Sequence, residues 1–373
     1  MESGVKGIQV SEHMPRFAKQ VQHCAILRSV YHESNLHGFG THYNLTGLPP
    51  APGFKGEPKV SREDPPCVGS VLRQVQGDRG ELPGAVHLPA RIGDQNSFQW
   101  AGQHAGYLGP KYDPLMLIDE NWKPGTTLPS FRPQKENSGD RLGERVSLLE
   151  SLEKVQRENR DDSAQQFERF RRQALEILGE SSAAWSAFSI DEEKPATLAR
   201  YGDNKFGRSC LVARRLVERG VRYVTVPWAE VVSTKNFDTH AKHFPLMKDF
   251  LLPPFDRAFS ALIEDLAERG MLDETLVATT GEFGRTPKIN KNGGRDHWCN
   301  VYSTVLAGGG IEGGQVWGSS DFQGGEPKDN PVHVRDFIAT VYHALGLSSE
   351  TVVRDTRGQP HHVVQGKPVM GLF

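Results

Sequence analysis

Asp238 and His240 stand one residue apart in the run NFDTHAKHF. On an extended segment alternate side chains point the same way, so this carboxylate and imidazole can face one cation. The pair suits zinc, iron or manganese, although an Asp capping a turn beside an exposed His has the same spelling. Two clusters follow downstream. TLVATTGEFGRTP carries Glu282 just ahead of a glycine turn, then Arg285. A carboxylate at the end of a strand can ligate a metal, and a nearby Arg can grip a tetrahedral anion bidentately. GGRDHWCN then offers Arg295, Asp296 and His297, where the Asp can orient the neighbouring His. Each cluster alone reads equally well as a surface pair; three in succession read as a metal site. A fourth group, His32, His37, Thr41 and His42, precedes them. A hydroxyl or imidazole at a helix N-terminus is placed to attack phosphorus or sulfur, since helix amides stabilise the anion. The alternative is a capping Thr41 among exposed histidines.

These residues need elements that bring them together. FGRSCLVARRLVERG reads as a helix closed by Gly220, and VRYVTVPW as an apolar strand. FPLMKDFLLPPFDRAFSALIEDLAERG reads as helix interrupted at Pro253 and Pro254. LDETLVATTGE and VYSTVLAGGG read as strands, and VRDFIATVYHALG as a last helix. Earlier, PRFAKQV predicts a helix opened by Pro15, HCAILRSV a strand, and HESNLHGFGTHYNL leads into a helix stopped by Gly47 to Pro50. Alternating helices and buried-looking strands predict an α/β fold with a mainly parallel sheet flanked by helices. Such sheets place ligands at the carboxyl ends of their strands, where the four clusters fall. Residues 49–180 break the rhythm: a stretch rich in proline, glycine and polar residues, then charge-rich helical patterning. They are expected to form an irregular and helical excursion within a single domain spanning 1–373.

Composition narrows the partners. Forty-four basic residues against 46 acidic ones give a net charge of −2 over 373 residues, which predicts no nucleic-acid footprint. No apolar run approaches the roughly 18 residues that would span a membrane. The four cysteines, Cys24, Cys67, Cys210 and Cys299, form no CxxC pair and predict neither a zinc ribbon nor a disulfide framework. The opening residues MESGVKGIQVSEHMPRF carry no basic segment followed by an apolar one, so they do not read as an export signal.

GEFGRTPKIN, GGRDHW, LAGGGIEGGQVWGSSD and FGRSCLVARRLVERGVRYVTV together resemble the sulfatase-like family known as domain of unknown function 1501, from about residue 8 to 370. The resemblance implies an alkaline-phosphatase-like fold and a two-metal hydrolytic site for phosphate or sulfate esters, with zinc or manganese as the metal. It implies that Asp238, His240 and His297 form one metal position and that Glu282 replaces an aspartate of the second. Family members begin with a strand ending in Asp-Gly-Gly, preceded by an export signal that places them in the periplasm or at the cell surface. This chain is expected to start after that strand, so an open edge or gap is expected beside HCAILRSV, and one bound metal rather than two. The family nucleophile would fall at His37, with Thr41 the nearest hydroxyl and Arg285 holding the anion. The expected substrate is an anionic small-molecule or polysaccharide ester. The rival expectation is a catalytically inactive module that binds anionic glycans or a protein; an isomerase or mutase on the same fold is a third.

Overall fold

The computed structural model describes the chain apart from residues 51–59, 80–81, 95–97, 119–143, 145–146, 149–186, 191 and 229–235. HCAILRSV forms strand β1, Cys24–Tyr31. Its apolar run is almost unbroken because both faces are covered. Cys24 and Ile26 pack with Phe259, Ile263 and Leu266 on one face. Ala25, Leu27 and Val30 pack with Phe337, Ile338 and Tyr342 on the other. Leu27 is fully buried, and truncating it to Ala would cost about 2–5 kcal/mol.

Among the described residues five strands make the larger sheet. Tyr302–Ala307 pairs antiparallel with β1, setting Ile26 opposite Val305. Val277–Thr279 pairs antiparallel beyond it, while Gln315–Trp317 and Val332–His333 run parallel to β1 on its other side. A smaller sheet is wholly parallel, with Ala85–His87 between Leu115–Met116 and Tyr223–Thr225. In chain order these strands are β2 (Ala85–His87), β3 (Leu115–Met116), β4 (Tyr223–Thr225), β5 (Val277–Thr279), β6 (Tyr302–Ala307), β7 (Gln315–Trp317) and β8 (Val332–His333). The α/β class is as expected. The mainly parallel direction is as expected too: in the larger sheet β1, β5, β7 and β8 run one way, and β6 alone returns between β1 and β5 antiparallel to both.

Helices cover the sheets: α1 (His37–Thr46), α2 (Val68–Gln76), α3 (Pro195–Tyr201), α4 (Lys205–Glu218), α5 (Leu252–Glu268) and α6 (Val334–Ala344). Gly47, at φ 72°, ends α1 in the left-handed conformation. Pro253 and Pro254 do not interrupt the helical path. They fall in the first turn of α5, where a missing N–H costs nothing, and a π-turn over Met247–Leu251 leads into them.

One expectation needs correction. β1 is paired along both sides, so no gap lies beside HCAILRSV; among the described residues the sheet edges are β5, β7 and β8 in the larger sheet and β3 and β4 in the smaller. The stretch 49–180 is described in part. It contributes α2, whose Val68, Val71 and Leu72 join the core under β1, and the central strand of the smaller sheet. The charge-rich segments expected to be helical after residue 141 fall largely outside the described residues. All four cysteines are free and buried.

Candidate metal centre

Each site residue leaves a defined element. His37 is the first residue of α1, just beyond β1. Asp238 and His240 follow β4, and Glu282 follows β5. Arg285 and His297 face each other across a two-residue antiparallel ladder. Two glycines permit the close packing. A Cβ on Gly40 of α1 would collide with the Glu282 backbone, and one on Gly294 with that of His240.

Asp238 is the hub. Its Oδ1 lies 2.9 Å from His297 Nε2 and 3.1 Å from His240 Nε2, and accepts from Arg285 Nη1 at 2.6 Å. Its Oδ2 is 3.4 Å from His37 Nε2. The two imidazoles are themselves close, with Nε2 atoms 2.9 Å apart. Their other nitrogens are committed: His297 Nδ1 donates to the Asn35 carbonyl at 2.7 Å, and His240 Nδ1 to Asp296 Oδ1 at 2.6 Å. In neutral rings those bonds leave both Nε2 lone pairs aimed at each other and at a carboxylate oxygen. Acceptors facing acceptors are satisfied only by a proton or a cation between them.

The donor set fits a metal. His37, Asp238 and His297 offer ligand atoms within 4.8 Å of one another, and His240 adjoins them. Ligand atoms on a tetrahedral zinc lie about 3.4 Å apart, given bonds of ~2.0–2.1 Å. The triangle of Asp238 Oδ1, His240 Nε2 and His297 Nε2 needs to open by only a few tenths of an ångström. Asp296 and the Asn35 carbonyl fix ring orientation in the way that outer partners of metal-bound histidines do.

Glu282 sits elsewhere in this arrangement. Its Oε1 is 2.7 Å from His37 Nδ1, so it orients His37, and His32 Nε2 donates to its backbone carbonyl at 2.5 Å. Burial alone would lower the His37 pKa, but the hydrogen bonds to Asp238 and Glu282 push it up to about 9. Burial also opposes ionisation of Asp238. Contacts from His297, His37 and Arg285 outweigh it and hold the carboxyl far below the usual carboxylate range. Glu282 is lowered against its own burial by His37.

Thr41 lies one turn beyond His37 on α1 and is 5% exposed. Both line the cleft that opens from the cluster, as does Trp100. Trp100 stacks on His37 with ring centroids 5.2 Å apart and planes 7° from parallel. Sequence reasoning did not find Trp100, which sits in an irregular stretch with no periodic signal. Asn35 was missed too, since its contribution is a backbone carbonyl. Trp298, next to His297, donates its Nε1 to the Gly325 carbonyl at 2.7 Å.

The family described as "Protein of unknown function (DUF1501)" matches residues 1–373, and the chain belongs to it. No curated protein matches the sequence. Among solved structures the chain is similar to Ps i-CgsB in complex with k-i-k-neocarrahexaose, with 11% identity and a TM-score of 0.46 over 95% of this chain and 69% of that one. It is similar to the phosphonate monoester hydrolase SpPMH from Silicibacter pomeroyi, with 12% identity and a TM-score of 0.35 over 96% and 71% of the two chains. A protein in complex with its substrate D-glucosamine-2-N,6-O-disulfate is also similar, with 11% identity and a TM-score of 0.35 over 96% and 77%. Among the described residues no helix is long and apolar enough to cross a membrane.

Proposed function

For this member of the DUF1501 family we propose a metal-dependent hydrolase of phosphate or sulfate esters, acting on an anionic small molecule or polysaccharide. The observation that carries the reading is the pair of Nε2 atoms of His240 and His297, 2.9 Å apart and both turned on Asp238 Oδ1. Asp238, His240 and His297 would hold one zinc or manganese ion, with His37 beside them. A bound ion supplies Lewis-acid polarisation of the ester oxygen. Arg285 binds the anion: Nη1 is on Asp238, while Nε and Nη2 make no protein hydrogen bond among the described residues, leaving a fork for a tetrahedral group. His37, held by Glu282 through Nδ1 and with its pKa raised to about 9 by its two carboxylate partners, presents Nε2 at the cluster and is the proton carrier of this reading. Thr41 is the hydroxyl alternative, one turn deeper in the cleft.

One observation favours a second reading, an inactive module binding anionic glycans or a protein. Arg285 already neutralises Asp238 at 2.6 Å, so the cluster is charge-compensated by protein groups alone. The test is hydrolysis of an aryl phosphate and an aryl sulfate by protein supplied with zinc or manganese. The hydrolase reading expects turnover that a chelator abolishes. Tight metal binding with no turnover on either ester would give preference to the binding module.

A further inference from the structure

Residues 290–295 form a turn laid against the loop that carries His240. Main-chain bonds join the two: Arg295 N donates to the Thr239 carbonyl at 3.0 Å, Lys242 N to that of Asn292 at 3.2 Å, and His243 N to that of Gly293 at 2.9 Å. Gly294 permits the approach, since a Cβ there would strike the His240 carbonyl.

The Asn290 side chain lies half-buried between turn and loop, and its two ends do different things. Oδ1 accepts from the backbone N–H of Asn292 at 2.9 Å and of Gly294 at 3.0 Å, which builds the turn. Nδ2 donates to the His240 carbonyl at 2.9 Å and to Asp296 Oδ1 at 3.0 Å. Both donors and the carbonyl oxygen of the amide are thereby matched. Turning the amide over would set N–H against N–H and oxygen against oxygen, so its neighbours fix its orientation. Asp296 Oδ1 is the same atom that accepts from His240 Nδ1 at 2.6 Å. A closed ring of hydrogen bonds therefore runs from the His240 imidazole through Asp296 and Asn290 back to the His240 main chain.

We propose that Asn290 is a positioning residue of the metal centre: its amide ties the carboxylate that orients the His240 ring to the main chain of His240 itself. This rests on the reading of Asp238, His240 and His297 as ligands. The side chains of His240 and Asp296 are 45% and 51% exposed, so hydrogen bonds hold them more than packing does. A carboxylate with one partner can swing into solvent and take the ring with it. A second donor on the same oxygen, itself anchored to the loop, removes that freedom.

Asn290→Asp separates the two ends of the side chain. It is isosteric, keeps the acceptor that builds the turn, and replaces the donor by an oxygen facing two oxygens. Its added negative charge by itself favours a cation, so weaker metal binding in an intact turn reports a misplaced ligand. Amide exchange at Asn292 and Gly294 should stay within about threefold of the parent. Zinc affinity, measured by competition with a chromogenic chelator, should fall about tenfold, the lower end of the loss expected for an outer partner. In the metal-free protein, long-range proton–nitrogen NMR should show His240 as the Nδ1–H tautomer in the parent and as a mixture in the variant. Asn290→Ala should also lose about tenfold in zinc affinity, shrinking to less than about threefold on an Asp296→Asn background, because both changes loosen one ring. Parent-like zinc affinity in Asn290→Asp would overturn the proposal, as would an unchanged tautomer, faster exchange in the turn, or a full Asn290→Ala loss on the Asp296→Asn background. A parent that binds no zinc would count against the metal reading instead, and the His240 tautomer would then decide the role of Asn290.

Discussion

His240 Nε2 and His297 Nε2 approach to 2.9 Å although the two residues arrive from loops after different strands. Their Nδ1 atoms are tied to Asp296 and to the Asn35 carbonyl, so neither ring is free to turn its lone pair away. The closeness is built by the surrounding structure, and it sets what the cluster can bind.

Asp296 therefore acts through His240. Asp296→Asn keeps the shape and removes the charge-assisted bond that fixes the ring. Loss of such an outer partner typically lowers metal affinity by about 10–100-fold. Zinc affinity measured by competition with a chromogenic chelator should fall within that range, with the far-ultraviolet circular dichroism unchanged. Unaltered affinity would show that Asp296 does not position the ring.

Gly40 couples helix packing to the site. Its Cα rests against the Glu282 backbone, with no room for a methyl group. Gly40→Ala should force α1 outward at a cost of about 1–3 kcal/mol, read from urea unfolding. Because His37 starts the same helix, its contact with Glu282 should loosen too, visible as a downward shift of the His37 imidazole titration by NMR. A variant as stable as the parent would contradict the packing.

Stability should fall between neutral and mildly acid pH. Burial lowers the pKa of both His42 and His87 to about 4, beneath the 6.5 of the unfolded chain. Between those values the unfolded state binds more protons, so stability is full above about 6.5 and is lost as pH falls toward 4. Each residue contributes about 3 kcal/mol across the window. In urea unfolding at stepped pH, His42→Gln should flatten the slope whatever it does to the absolute stability. His37 has the opposite sign: its stabilisation in the metal-free protein is full below 6.5 and lost as pH rises through about 9.

Arg285→Lys keeps the charge beside Asp238 and loses the planar fork. Bound zinc per chain should stay as in the parent. Inhibition by inorganic phosphate or sulfate should weaken by about tenfold, the scale of one lost charge-assisted hydrogen bond. Unchanged inhibition would remove the anion-gripping role.

The strands and helices after residue 201 were readable because their apolar periodicity follows buried faces. The run around Leu27 likewise announced a strand covered on both sides. Strand direction was not readable: nothing in YSTVLA distinguishes a strand returning antiparallel from one running parallel, since both are buried alike. The prolines of α5 misled, because Pro in a first turn and Pro in a helix interior have the same local spelling. The residues gathered around Asp238 were nameable from type and spacing. Their partnerships were not, since Glu282 pairing with His37 depends on packing across 245 residues of chain, and Trp100 stacking on that ring lies across an irregular stretch with no periodic signal.

The account turns on a cation held between Asp238, His240 and His297, and calorimetric titration of chelator-stripped protein with zinc tests it directly. One ion per chain should bind. His240→Ala and His297→Ala should each weaken binding by at least 100-fold while leaving the free energy of unfolding in urea within about 1 kcal/mol of the parent, since both side chains are partly exposed. No heat of binding in the parent, or equal affinity in the two variants, would contradict a metal centre at this position.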